Sequence, residues 1–312
     1  MNLTPAAVDI GSHTARLLVA NLFSKNGKLC LIPELIRRNY IFIASEMSPD
    51  KIIEKSSISR TITIIKNYTD LALSYNTPHV SGVATGVIRE AVNRDDFICL
   101  LNCIDGFNCR IISGEEEAML TVKGVANSLE MPSDFILFDL GGGSTEFIFS
   151  GKKSILKIIS LPLGCSTLTK RFFEKNEKNM FFKINEYIME IMNRGIGACP
   201  AWNLIGTGGT VASVAAMCRN IRLDQIDYKL LHKEKVSFSE VDSLYSRVIS
   251  ASITQLINNM HVEEARAKVL PAGLSILRHI MLYLKAESLT VSMSGLLEGL
   301  ILSNTEKISY EY

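Results

Sequence analysis

Three things are scarce in this 312-residue chain, and each scarcity removes a class of protein. Net charge is one: 33 Lys and Arg face 32 Asp and Glu, a formal +1, so no global field draws in nucleic acid or an anionic membrane. Any polyanion must be held by a local patch. Long apolar runs are another, since no stretch approaches the roughly 18 residues that a bilayer span needs. The N-terminus MNLTPAAVDIGS has no basic segment followed by an apolar run. We therefore expect a cytoplasmic protein with no membrane and no nucleic-acid partner. Paired cysteines are the third. Residues 30, 99, 103, 109, 165, 199 and 218 are odd in number and contain no CxxC. Cys99, Cys103 and Cys109 have no His near them and are expected as reduced thiols rather than metal ligands.

What the chain does have is 47% hydrophobic and 21% charged residues, the composition of a core-forming globular protein. Its length suits two domains of roughly 100 to 200 residues, which predicts a cleft. Alternation and turn residues predict strands at 6–10, 15–23 and, after a turn at Gly27, 29–36. Helical spacing from Ser48 to Tyr75, with Ser48 as N-cap, predicts a long helix. Strand 79–84, a helix around 97–101, strand 109–112 and helix 115–129 complete a βββαβαβα order. That order restarts with strands 135–140, 145–149 and 155–161. Helices are expected at 238–257, 263–284 and 295–302, with a strand at 289–292.

The restart carries a repeat. VDIGSHTARLLVA at 8–20 and FDLGGGSTEFIFS at 138–150 share hydrophobic-Asp-hydrophobic-Gly-x-x-(Ser/Thr), roughly 130 residues apart. A glycine turn between strands lets consecutive backbone N–H groups face an anion, because no Cβ blocks close approach and φ above zero is tolerated. Gly141, Gly142 and Gly143 suit that task. Asp9 and Asp139 each end a buried strand, where a carboxylate is costly unless it meets a cation or hydrogen bonds. A third turn, LIGTGGTVASVAA at 204–216, joins an apolar strand to a helix. One such loop alone reads as a simple hairpin; the three together resemble the phosphate cradle of the actin, Hsp70 and sugar-kinase superfamily.

Finer motifs narrow this. VDIGSHTARL at 8–17, ATGVIREAVN at 84–93, SGEEEA at 113–118, DLGGGSTEF at 139–147, SLPLG at 160–164, GTGGT at 206–210 and RAKVLPAG at 266–273 occur in that order. Together they resemble the exopolyphosphatase and guanosine pentaphosphate phosphohydrolase (Ppx/GppA) family, in its short two-domain form, over nearly the whole chain. The resemblance implies an α/β fold of two duplicated actin-like (ribonuclease H-like) domains with an interdomain cleft. We place the domains at 1–123 and 124–296, with a C-terminal helix at 297–312 returning to the first.

It implies, further, removal of a terminal phosphate by water. Glu117 would be the general base, whereas Glu115 and Glu116 have a structural reading, because Ser113-x-x-Glu116 is a capping box. Glu146 resembles the second essential carboxylate. Asp139 and Glu146, with Asp9 as a third candidate, would hold Mg2+ or Mn2+. Phosphates would be bound by Gly11, Ser12, His13, Thr14, Arg16, Arg89, Gly141, Gly142, Gly143, Ser144, Thr145, Gly208, Gly209, Thr210 and Arg266. The partners implied are polyphosphate or guanosine penta- or tetraphosphate, and a second copy in a homodimer.

The chain departs from the family pattern in three places. His13 stands for a usual Asn, Leu297 replaces the Arg of Gly-Leu-Arg-Glu-Gly, and Arg38-Asn39-Tyr40-Ile41 lacks the glycines of the usual Arg-Leu-Gly stretch. The rival readings are an ATP-dependent kinase of the same superfamily and a non-catalytic binder of polyphosphate or guanosine tetraphosphate.

Overall fold

The computed structural model describes residues 4–25, 28–152, 154–173, 180–260 and 262–309, so Gly27 and its expected turn lie outside the described residues. The chain forms two compact units. One comprises the chain up to Leu129 together with the chain from Ser294 onward, and the other is Glu130–Met293. These boundaries differ by a few residues from those read in the sequence, because a single helix runs unbroken through 123 and stays with the first unit.

In the first unit the elements are β1 (Ala6–Ile10), β2 (Thr14–Lys25), β3 (Lys28–Tyr40), α1 (Ile43–Glu46), α2 (Lys55–Leu73), β4 (Val80–Ala84), a 3-10 turn (Gly86–Glu90), α3 (Arg94–Asn102), β5 (Phe107–Ile111) and α4 (Gly114–Ser128). The sheet order is β3-β2-β1-β4-β5, with β1 antiparallel to β2 and parallel to β4. Every residue of β1 is buried, as a central strand covered on both faces requires. Its alternation splits the core. Ala6, Val8 and Ile10 join one apolar cluster with Ile65, Tyr68, Phe97 and Leu101, while Ala7 joins another with Leu18, Leu120, Leu296 and Leu300.

The second unit contains β6 (Phe135–Leu140), β7 (Thr145–Gly151), β8 (Ser154–Leu161), α5 (Cys165–Phe172), α6 (Met180–Gly195), β9 (Asn203–Thr207), α7 (Gly209–Cys218), α8 (Tyr228–Leu231), β10 (Lys235–Ser237), α9 (Phe238–Ile249), α10 (Ile253–Met260), α11 (Glu264–Ala267), α12 (Leu270–Tyr283) and β11 (Ser288–Val291). Its sheet reads β8-β7-β6-β9-β11, the same order as the first, with β10 added antiparallel at the β11 edge. The last helix, α13 (Leu296–Ser309), belongs to the first unit.

Several elements depart from the sequence reading for identifiable reasons. Helix α2 starts at Lys55, not at Ser48. Lys51 lies at φ 59°, and the Ser48 hydroxyl accepts from the Ile52 N–H at 3.0 Å, so 48–52 is a turn. The expected helix 238–257 is two. Ser252 and Gln255 exchange backbone-to-side-chain bonds of 2.8 and 3.2 Å, a reciprocal N-terminal cap that starts α10 afresh. The expected helix 263–284 is also two, because Pro271 lacks the N–H that continuation needs and instead sits in the first turn of α12. Strand β3 runs to Tyr40, beyond the expected end at 36.

Helices α4 and α13 cross at glycines. A Cβ on Gly299 would lie 1.8 Å from Leu120 O, and one on Gly124 would lie 2.0 Å from Gly295 O. Leu297 is buried in this apolar layer, which fits a leucine better than the arginine it replaces. All seven cysteines are free thiols, Cys99 and Cys103 exposed and Cys109 buried. Among the described residues no helix is long and apolar enough to cross a membrane.

Candidate active site

In the first unit, the β1–β2 turn closes with Gly11 N–H donating to Thr14 O at 2.9 Å. It is pinned on both sides. The Ser12 hydroxyl accepts from Val87 N–H at 3.2 Å, and Ile41, Phe42 and Ala44 donate their N–H groups to the carbonyls of His13 and Ser12 at 2.8, 3.2 and 2.8 Å. With those carbonyls bonded from behind, the turn is held in one orientation. Gly86, at φ 58°, must be glycine, since a Cβ would come within 2.3 Å of Ser12 Oγ.

The side chains beside this turn form two ion pairs. Arg16 donates from Nε and Nη2 to Asp9 Oδ2 at 3.0 and 2.7 Å, with Asp9 buried. A metal at Asp9 would have to displace that guanidinium. Arg89 donates from Nη1 to Ile112 O at 2.9 Å and to Glu117 Oε2 at 3.2 Å, so the sheet end and the first turn of α4 meet at the expected base. Ser113 caps α4 by accepting from Glu116 N–H at 3.1 Å, but the capping box is only half made, because the Glu116 carboxylate pairs with Arg110 at 2.9 Å instead of turning back. Glu115 is exposed.

The second unit repeats the turn: Gly141 N–H donates to Ser144 O at 3.0 Å. Here α5 does the pinning. Cys165 N–H donates to Gly141 O at 3.1 Å, Ser166 and Thr167 N–H groups to Gly142 O at 2.9 and 3.2 Å, and the Thr167 hydroxyl to Gly143 O at 3.1 Å. Gly164 allows this approach, since a Cβ there would lie 2.3 Å from Gly142 O. The close packing here falls on Gly164 and on Gly141, where a Cβ would lie 3.1 Å from Ser144 O, while none of the glycines at 141–143 has positive φ and Gly208 does, at 99°.

Asp139 and Glu146 are directly opposite one another on β6 and β7, and so share a face. Two carboxylates placed so repel unless something offsets them. Glu146 Oε1 accepts from the hydroxyls of Ser144 at 2.6 Å and Ser160 at 2.9 Å. The β9–α7 turn closes in beside them: a Cβ on Gly208 would lie 2.6 Å from Asp139 Oδ1, and one on Gly209 would lie 2.8 Å from Arg266 Nη2. Asp139, Gly208, Gly209 and Arg266 are therefore neighbours, although more than a hundred residues separate the ends of that set in sequence. Two expected phosphate ligands point inward instead. The Thr145 hydroxyl, fully buried, donates to Leu163 O, and Thr210 lies with its Oγ1 3.0 Å from Cys165 Sγ.

Sequence reasoning missed Glu298. It lies buried on the first turn of α13, accepts from Gly295 N–H at 2.7 Å and feels the charge of Arg16. Burial pushes its carboxyl up to about 7, against the opposing pull of backbone N–H groups and Arg16. The signal available was a lone Glu in an apolar closing segment. The α5 contribution was missed as well, and Cys165 at its start would have been the marker; burial raises that thiol's pKa.

Two ribonuclease H-like units, each with a glycine turn after an aspartate-bearing strand, define an actin-like fold. The family follows from comparison. Residues 24–308 match the model of the Ppx/GppA phosphatase family, and the chain belongs to that family. It is 26% identical over 98% of its length to a bifunctional 3-dehydroquinate synthase/phosphatase of Fusobacterium nucleatum, spanning 47% of that longer protein. The crystal structure of the Aquifex aeolicus Ppx/GppA family member is similar at TM-score 0.82 and 27% identity, covering 98% of this chain and 99% of that one. An exopolyphosphatase structure from Cytophaga hutchinsonii shares the fold at TM-score 0.81 and 19% identity, covering 97% of each chain.

Proposed function

We propose that the protein hydrolyses the terminal phosphoanhydride of inorganic polyphosphate or guanosine pentaphosphate in the cytoplasm. The observation that carries this reading is the pair Asp139 and Glu146, opposed on adjacent strands beside a glycine turn and the Arg266-bearing β9–α7 turn. Two carboxylates suit Mg2+ or Mn2+, which take one or two protein carboxylates and fill the remaining positions with water and phosphate oxygens. Such an ion supplies neutralisation of the phosphate charge.

Glu117 takes a proton from the attacking water while a new P–O bond forms and the bond to the bridging oxygen breaks. Orthophosphate and a chain shorter by one phosphate leave. Arg89, bonded to both Ile112 O and Glu117, orients the base. Arg266 and the backbone N–H groups of 142 and 143 hold phosphate oxygens. The free cysteines fit a reducing compartment.

The test is phosphate release from long-chain polyphosphate and from guanosine pentaphosphate, with magnesium and no acceptor. Glu117→Gln should lower kcat by roughly 10²- to 10⁴-fold, the usual contribution of a general base. Release that needs an added hydroxyl acceptor would favour a kinase, and binding without release a sensor.

A further inference from the structure

Beside the first glycine turn lies a ladder of two stacked rings with a guanidinium over each end. Tyr40 and Phe42 stack with centroids 5.5 Å apart at 13°, Arg38 lies 5.4 Å over the Tyr40 ring, and Arg60 lies 5.7 Å over the Phe42 ring. Arg60 is the anchored end, bonded to Ile41 O at 2.8 Å and paired with Glu46 at 3.0 Å. Arg38 is exposed and forms the outer rung.

Three features set this ladder apart from ordinary packing. Phe42 adopts φ 57°, a left-handed backbone that non-glycine residues seldom take, and keeps its side chain 40% exposed. Tyr40 Oη is shielded from solvent and has no hydrogen-bond partner among the described residues. The ladder is also fastened to the turn: Tyr40 is opposite Thr14 in the β2–β3 register, and Phe42 N–H donates to His13 O at 3.2 Å. Asp9, Arg16 and Arg38 are consecutive partners across β1, β2 and β3, so the outer rung shares a face with the turn's charged residues, two strand spacings or about 10 Å from Asp9. That is about the reach from a nucleotide's phosphates to its base.

We propose that Arg38, backed by the stacked rings of Tyr40 and Phe42, forms a stacking subsite for the base of a nucleoside polyphosphate, whose phosphates run toward the Gly11–Thr14 turn. Bases stack on guanidinium planes and on aromatic rings alike, so a base adds one more rung at Arg38. Bare polyphosphate has nothing to place there. This rests on the phosphohydrolase reading and names which of its two substrates the site favours.

Binding of guanosine pentaphosphate and of inorganic tripolyphosphate is measured by calorimetry in the Glu117→Gln background, where turnover is suppressed. Arg38→Ala and Phe42→Ala should each weaken the nucleotide at least about 5-fold more than the tripolyphosphate, since a stacked base contributes about that much or more. Phe42→Trp should restore the preference, which a merely misfolded segment would not allow. Equal weakening of both ligands, or wild-type affinity for the nucleotide no better than for tripolyphosphate, would overturn the subsite. Base-dependent binding in an enzyme that releases no phosphate would keep the subsite and reject the hydrolase.

Discussion

The two sheets of this protein run in the same order, yet the rows of side chains beside their glycine turns carry different charge. Across the first unit the row reads Val83, Asp9, Arg16, Arg38; across the second it reads Thr207, Asp139, Glu146, Ser160. Each aspartate is followed seven residues later by its cross-strand partner. In the first unit that partner is an arginine that neutralises the carboxylate, and in the second it is another carboxylate. The backbone device is common to both. Each turn is closed by the same glycine-to-(Ser/Thr) bond and held from behind by N–H groups that follow the third strand. Duplication kept the turn, and the charges placed beside it diverged: an arginine faces the aspartate in one unit and a glutamate faces it in the other.

The strongest way to break this comparison is to make the second row resemble the first. Glu146→Arg should lower metal-dependent phosphate release by about 10³-fold or more, since charge-stabilising groups at such sites commonly contribute that much, and excess magnesium should not restore it. Activity within a few-fold of wild type in a magnesium titration would dissolve the distinction.

Next in size is the buried Glu298 beside Arg16. Its folded pKa of about 7 exceeds the ordinary carboxyl value of 4.5, so between those values the native state holds more protons than the unfolded state. Stability therefore falls as pH rises through this window, and the penalty is complete above pH 7. Glu298→Gln, which keeps an acceptor for Gly295 N–H, should match wild type near pH 4.5 and exceed it by about 3 kcal/mol at pH 8, from 1.36 kcal/mol per pKa unit. Urea denaturation at both pH values checks this; a gap independent of pH would refute it.

Arg16→Met leaves the Asp9 carboxylate buried without its main partner. Because Arg16 is 31% exposed, the cost should fall below that of a fully buried pair, at about 2 kcal/mol, and Asp9→Asn in the same chain should recover part of it. The smallest effect is expected at Ser160, which orients Glu146 from β8. Ser160→Ala should raise the magnesium concentration for half-maximal release about 10-fold, as loss of such an outer contact typically does, with little change in stability.

Much of the scaffold was legible because it is local. The strands at 6–10 and 135–140, the glycine turns after them and the helix carrying Glu117 all announce themselves through alternation, turn residues or an N-cap. Where chemistry between neighbours in sequence competes with periodicity, the reading slipped. Ser48 reads as a cap but closes a turn, Ser252 hides a helix start inside an amphipathic run, and Pro271 ends one helix by beginning another. The stretch 165–203 yielded no elements at all, although α6 buries Ile184, Ile188 and Met192 at regular four-residue steps.

The sequence by itself determined the two glycine turns, the aspartate that precedes each and the family they mark, because these depend on residue types a few positions apart. Only the tertiary structure decided which of those residues face one another. Register across β1, β2 and β3 sets Arg16 on Asp9, register across β6 and β7 sets Glu146 beside Asp139, and close crossing at Gly124 and Gly299 brings α13, with its buried Glu298, onto α4. Strand register and helix contact distance are set by packing over the whole core, which no short segment encodes.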